Sequence, residues 1–120
     1  MLFRSCCAAA LAALRYLEKH PELVDRLAQL STYARTGLKE RGLSIRESRT
    51  PIVPIFTYDP VTTLKMTTEL YRRGVYVNAS LPPATPPNEC LLRTSYMASH
   101  TESLLDEAMD IIRDVVKSYE

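Results

Sequence analysis

Arg93 is the residue whose type and place most invite chemistry. It lies inside Leu91-Leu-Arg-Thr-Ser95, a β-type run in which alternate side chains turn toward a buried face. A guanidinium in such a run needs a reason. One is to grip a carboxylate through paired N–H donors; the other is a rim position in an internal ion pair. The residues alone leave both open. The segment Leu81-Pro-Pro-Ala-Thr-Pro-Pro-Asn88 is too proline-rich for regular structure and must be a rigid loop. Pro82, Pro83, Ala84, Thr85 and Pro86 can form a preorganised wall of a ligand cleft, since stiff loops lose little entropy on binding. They can equally be stiffened for stability alone. Asn78, at the end of Val75-Tyr-Val-Asn78, either orients a ligand or caps a turn. His100 stands just before Glu102, where a helix-start role and an acid–base role are both open.

Several chemistries lack support. No Ser/His/Asp order, phosphate loop or metal-ligand spacing occurs. The two histidines and three cysteines supply a metal site poorly, so none is expected. Cys6, Cys7 and Cys90 form neither a disulfide framework nor a C-x-x-C pair. Such an odd set suits reduced thiols in the cytoplasm, with Cys90 a small buried apolar side chain. A net charge of +1 gives no field toward nucleic acid or acidic membranes. No apolar stretch reaches the roughly 18 residues of a membrane span. The apolar start from Met1 to Leu14 runs on into Arg15-Tyr-Leu-Glu-Lys19, a helical continuation rather than a cleavage region.

The elements that must position these residues follow from pattern. Ala8 to Lys19 is helix-forming, with Leu11, Leu14 and Leu17 at helical spacing. His20-Pro21 breaks it, and Pro21 opens a second helix with Leu23, Leu27, Leu30, Ala34 and Leu38 on one face, ending at Gly42. Leu43 to Glu47 is expected as a short strand. Thr50 to Tyr58 is β-rich, but Pro54 restricts it to an edge or to a place where no ladder bond is needed. Asp59-Pro60 caps and starts a third helix, expected to turn Val61, Leu64, Thr68 and Tyr71 inward and to end at Gly74. Val75 to Asn78 and Cys90 to Tyr96 are expected strands. Ser99-His-Thr-Glu102 has the form of a capping box for a last helix that buries Leu104, Leu105, Ala108, Ile111, Ile112, Val115 and Val116. The sum is an α+β domain: a small, mostly antiparallel sheet covered by helices.

Gly74-Val-Tyr-Val-Asn78, Pro82-Pro-Ala-Thr-Pro86, Leu91-Leu-Arg-Thr-Ser95 and Ala98-Ser-His-Thr101 occur in order and at matching gaps. Together they resemble the end of the α-oxoamine synthases, fold-type-I pyridoxal-phosphate enzymes that include serine palmitoyltransferase, 8-amino-7-oxononanoate synthase and 2-amino-3-ketobutyrate coenzyme A ligase. The likeness runs from about Ala8 to the C-terminus. It implies the C-terminal small domain of that fold, over residues 6–120. It implies an acyltransferase that condenses an amino acid with an acyl thioester, carried by coenzyme A or a carrier protein, with loss of carbon dioxide, to an α-amino ketone. Pyridoxal phosphate would supply the electron sink, held mainly by a large domain that cannot be matched here. Lys19, Lys39, Lys65 and Lys117 all fall on expected helices, so no catalytic residue is assigned and the piece alone is expected to be inactive. Arg93 would hold the amino-acid carboxylate, the Pro82 to Pro86 loop would border the thioester site, and Asn78 and His100 would stand behind them. Leu81 departs from bacterial serine palmitoyltransferases, which often carry an arginine there, and this leaves the serine substrate and long acyl chain open. The full-length enzyme is expected to be a homodimer. Other readings are a class I/II aminotransferase C-terminal domain, which the same arginine would serve, and a standalone α+β binding module. Leu2-Phe-Arg-Ser5 is what the end of a common sequencing adapter encodes in frame, so residues 1–5 are expected to be a non-native leader.

Overall fold

The computed structural model describes residues 3–120, and the expected leader lies partly outside them. The order is α1 (Arg4–Lys19), α2 (Glu22–Glu40), β1 (Ile52–Tyr58), α3 (Pro60–Arg72), β2 (Asn78–Ser80), β3 (Cys90–Ser95) and α4 (Glu102–Ser118). The strands form one antiparallel sheet in the order β1-β3-β2, so β3 is central. Val53, Ile55, Cys90, Leu92 and Thr94 turn to one face and are buried. That face packs against Leu30, Ala34 and Leu38 of α2, Met66 and Leu70 of α3, and Leu105, Met109, Ile112 and Val115 of α4. This is the expected α+β layer, with α2, α3 and α4 on one side of the sheet.

Helix ends follow the sequence closely. α2 and α3 both stop in a six-residue turn around a left-handed glycine, Gly42 at φ 78° and Gly74 at φ 87°. Leu43 N–H donates to Leu38 C=O at 3.2 Å and Val75 N–H to Leu70 C=O at 2.8 Å, which brings an apolar pair together at each end. Asp59 caps α3 by accepting from Thr62 N–H at 2.8 Å. That bond, first through the backbone amide of Thr62, holds the Asp59 carboxyl below its ordinary value. A carboxylate with a depressed folded value stabilises above its unfolded value, and this contribution is lost as pH falls through the folded value. Chemical denaturation at stepped pH should therefore show Asp59→Asn matching the parent in acid and falling behind it at neutral pH. Equal curves across the range would remove Asp59 from the acid response.

Pro54 fits the sheet because its carbonyl accepts from Arg46 N–H at 3.2 Å, on the side away from β3. Its missing N–H points the same way, so no bond to the central strand is lost. Phe56 N–H likewise donates to Ser44 C=O at 2.8 Å. The strand expected over Leu43 to Glu47 is reduced to a single bridge between Ile45 and Ile55.

Other expectations are corrected. The last helix is capped by Thr101, which accepts from Leu104 N–H at 3.2 Å, and not by Ser99. The strand expected over Val75 to Asn78 begins only at Asn78, because Val75 closes the end of α3 and Val77 drops into the core. α3 buries Thr63, Met66 and Leu70, and leaves Val61, Leu64, Thr68 and Tyr71 outside. Both sets repeat at helical spacing, and the threonine in the inner one satisfies its hydroxyl internally on Asp59 C=O at 2.6 Å. In α4, Met109 is buried against Gly37 and Ile111 packs half-buried against the core, while Leu104 is exposed and Ala108 half-buried beside an open groove of about 620 Å³ that Tyr76 and Tyr96 also line.

α1 buries no residue, although Cys6 to Leu14 is apolar all round. A helix of that composition is normally an interior one. Deleting residues 1–19 should leave the unfolding midpoint of the remainder within about 0.5 kcal/mol of the parent, the usual range for changes that touch no core. The same deletion should cut the binding of an apolar dye. A large loss of stability would mean that α1 packs on the body.

Candidate functional site

The face of the sheet away from the helices is uncovered, and Arg93 stands at its centre. Burial along β3 alternates strictly, with Cys90, Leu92 and Thr94 inward and Arg93 and Ser95 exposed. Arg93 lies opposite Pro54 of β1 and Asn78 of β2. Residues directly opposite share a face, so the guanidinium is flanked by a flat pyrrolidine ring on one side and a carboxamide on the other. The next row is Phe56, Leu91 and Ser80. Among the described residues no carboxylate lies within ion-pair distance of Arg93, so the internal-pair alternative has no partner here.

The proline-rich loop joins β2 to β3 just past that second row. Ala84 N–H donates to Leu81 C=O at 2.9 Å and Glu89 N–H to Pro86 C=O at 3.1 Å, closing one turn at each end. The Pro82–Pro83 peptide is cis and Asn88 sits at φ 64°. Pro82, Pro83, Ala84 and Pro86 are exposed; Thr85 is half-buried, with a hydroxyl oxygen shielded from solvent and unpartnered. The structure thus places Asn78 directly beside Arg93 and the loop one row beyond the Phe56, Leu91 and Ser80 row. It does not bring His100 there. Its Nδ1 accepts from Met97 N–H at 3.0 Å, closing the turn before α4, and its ring borders the groove beside that helix, edge-on to Tyr96.

Three residues on the open face were not singled out as ligand-binding from the sequence. Arg46 lies with its guanidinium 5.5 Å from the centre of the Phe56 ring. Phe56 and Tyr58 stack at 5.8 Å. Tyr58 has a φ of 68°, and no composition or periodicity announces that. The available signal was the sequence Phe56-Thr-Tyr-Asp-Pro60, where two aromatic residues precede a helix cap.

Lys19, Lys39, Lys65 and Lys117 stand on α1, α2, α3 and α4, all exposed, and Lys39 is paired with Glu47. No cluster of three or more His, Cys, Asp or Glu gathers among the described residues. No described helix is long and apolar enough to cross a membrane.

A sequence profile of the aminotransferase class I and II family matches residues 2–112. Serine palmitoyltransferase from Bacteroides thetaiotaomicron is 34% identical over 103 residues, covering 86% of this chain and 26% of that protein. The 8-amino-7-oxononanoate synthase of Symbiobacterium thermophilum is 34% identical over 102 residues, covering 85% of this chain and 26% of its own. A solved serine palmitoyltransferase from S. paucimobilis, carrying a bound PLP–myriocin aldimine, superposes with a TM-score of 0.84 at 29% identity; the match covers 92% of this chain and 28% of that one. The chain therefore spans about a quarter of the length of these relatives. It belongs to the aminotransferase class I and II family, in the company of the α-oxoamine synthases that its motifs resemble.

Proposed function

We propose that this chain is the substrate-gripping small domain of a pyridoxal-phosphate-dependent acyltransferase that condenses an amino acid with an acyl thioester and releases carbon dioxide. The observation that carries it is Arg93, an unpaired guanidinium on an open sheet face. A carboxylate is its natural complement, because the planar fork presents parallel N–H donors. Pro54 and Asn78 stand opposite Arg93 on the neighbouring strands, so a ligand held at Arg93 would lie between them on the same face. The proline-rich loop, fixed by its two turns, walls the end of the face where the thioester would arrive.

The residues present do not fit the cofactor. All lysines are solvent-facing on helices, and none stands on the face that carries Arg93. The chain by itself is therefore assigned the binding of the amino-acid carboxylate and no step of bond making. Borohydride reduction of the purified chain with pyridoxal phosphate should mark no single lysine.

The reaction class is tested in a chain that supplies the rest of the family's length. Carbon dioxide released from carboxyl-labelled amino acid, only when acyl thioester is present, is the expected result. The aminotransferase reading is favoured by the name of the matching family itself. It predicts amino transfer to a keto acid with the labelled carboxyl retained, and that outcome would replace the present proposal.

A further inference from the structure

By type, Asn78 can cap a turn or orient a ligand, and the structure removes the first role. The turn that follows α3 is closed without it: Gly74 N–H donates to Tyr71 C=O at 3.0 Å and Val75 N–H to Leu70 C=O. Asn78 then opens β2, and none of the side-chain hydrogen bonds among the described residues involves it. Its carboxamide is half-buried and stands directly opposite Arg93. Opposite residues on one face have Cβ atoms about 4.5–5.5 Å apart, so the amide can reach whatever the guanidinium holds.

The surroundings of Arg93 are lopsided. On the β1 side the same face carries Ile52, Pro54 and Phe56, none of which has a polar side-chain atom. Tyr58 follows them past the irregularity in the register, and its hydroxyl is already within 3.1 Å of Ser44 Oγ. On the β2 side stand Asn78 and then Ser80. The hydroxyls of Ser80 and Ser95 are each one row from Arg93, about 7 Å along the strands. A carboxylate offers about four acceptor positions, of which the guanidinium fork fills two. Beside Arg93, a further donor can reach it from β2 through the Asn78 amide, and the apolar ring of Pro54 opposite supplies none.

We propose that the Asn78 carboxamide is a second grip on the amino-acid carboxylate, donating through Nδ2 to the oxygen on the β2 side while that carboxylate sits in the Arg93 fork. This rests on a carboxylate being held at Arg93, which the acyltransferase and aminotransferase readings share. Asn78 touches the substrate, holds it in place and takes no part in bond making. Its contact is with the group common to all amino acids, so it strengthens binding without selecting among side chains.

The test is steady-state kinetics in a chain of the family's full length, with each substrate varied and a thermal melt alongside. Asn78→Ala should raise the KM for the amino acid about tenfold, the loss of one hydrogen bond to a charged group, with kcat little changed. The factor should be the same for every amino acid the enzyme accepts. Asn78→Asp should cost more than Asn78→Ala, because a carboxylate there pairs with Arg93 and repels the substrate. In an Arg93→Ala background the same Asn78→Ala change should cost about twofold or less, since two groups that grip one carboxylate do not act independently. The KM for acyl thioester and the melting temperature should stay with the parent. An ordinary amino-acid KM in Asn78→Ala, beside an impaired Arg93→Ala, would overturn the inference and leave the carboxylate at Arg93 standing. A loss that varies with the amino acid's side chain would overturn it too, by making Asn78 a reader of that side chain. Equal losses for both substrates with a lowered melting temperature would reduce Asn78 to a structural role. Ordinary kinetics in Arg93→Ala would remove the carboxylate site and this inference together.

Discussion

Arg93→Ala, placed in a chain of the family's full length, is expected to lower kcat/KM for the amino acid by about a hundredfold or more. Removing one partner of a desolvated, hydrogen-bonded charge pair costs roughly 2–5 kcal/mol, and about 1.4 kcal/mol is tenfold. Arg93→Lys should recover only part of this, because an ammonium keeps the charge but not the paired donors. The lost interaction is with the amino acid, so the KM for acyl thioester should move little. Stability should also be nearly unchanged, since Arg93 is exposed and ion-pairs with no described residue. Steady-state kinetics with each substrate varied, alongside a thermal melt, read all of this at once. An Arg93→Ala enzyme with ordinary kcat/KM would remove the residue from substrate binding and with it the main support for the proposal.

The largest effect on folding is expected at Leu92. It is fully buried on the central strand, with Ile55 opposite it on β1 and Ala79 on β2. Leu92→Ala removes methyl groups at a point where strands on both sides limit collapse, so about 3–5 kcal/mol should be lost. Against a total stability of roughly 5–15 kcal/mol, that leaves the chain near its unfolding threshold at room temperature. Leu64→Ala is the control. Leu64 belongs to the apolar stripe of α3 that faces outward, and at 51% exposure its truncation should cost within about 0.5 kcal/mol. Urea melts of the two variants compare the inner and outer faces directly; equal losses would put Leu64 back in the core.

That contrast marks where the sequence could be read and where it could not. Gly42, Gly74 and Asp59 set helix ends through local chemistry, and each acts where its type predicts. The alternation around Arg93 was equally local, and it placed the guanidinium on a face by itself. α3 offered two apolar stripes at the same spacing, and only tertiary packing distinguishes them. Leu104 carries a core pattern for the same reason but is 52% exposed, while Ile111 packs half-buried against the core and Met109, which fits irregular gaps, takes the buried place beside Gly37. Tyr58 was legible as an aromatic residue near a helix start. Its outward turn depends on a bulge that only the pairing of β1 with β3 reveals.

The fate of Pro54 bears on how this chain can associate with itself. Extended pairing between copies needs a free edge with donors and acceptors in step. The outer side of β1 has its bonds at Pro54 and Phe56 taken by Arg46 and Ser44, and at Pro54 it has no donor to offer. The opposite edge, β2, is only three residues long. Neither border is a good template for strand addition. Crowded solutions of this chain should therefore clump through α1 and its other bare apolar surfaces, giving disordered particles without the regular repeat of a fibre.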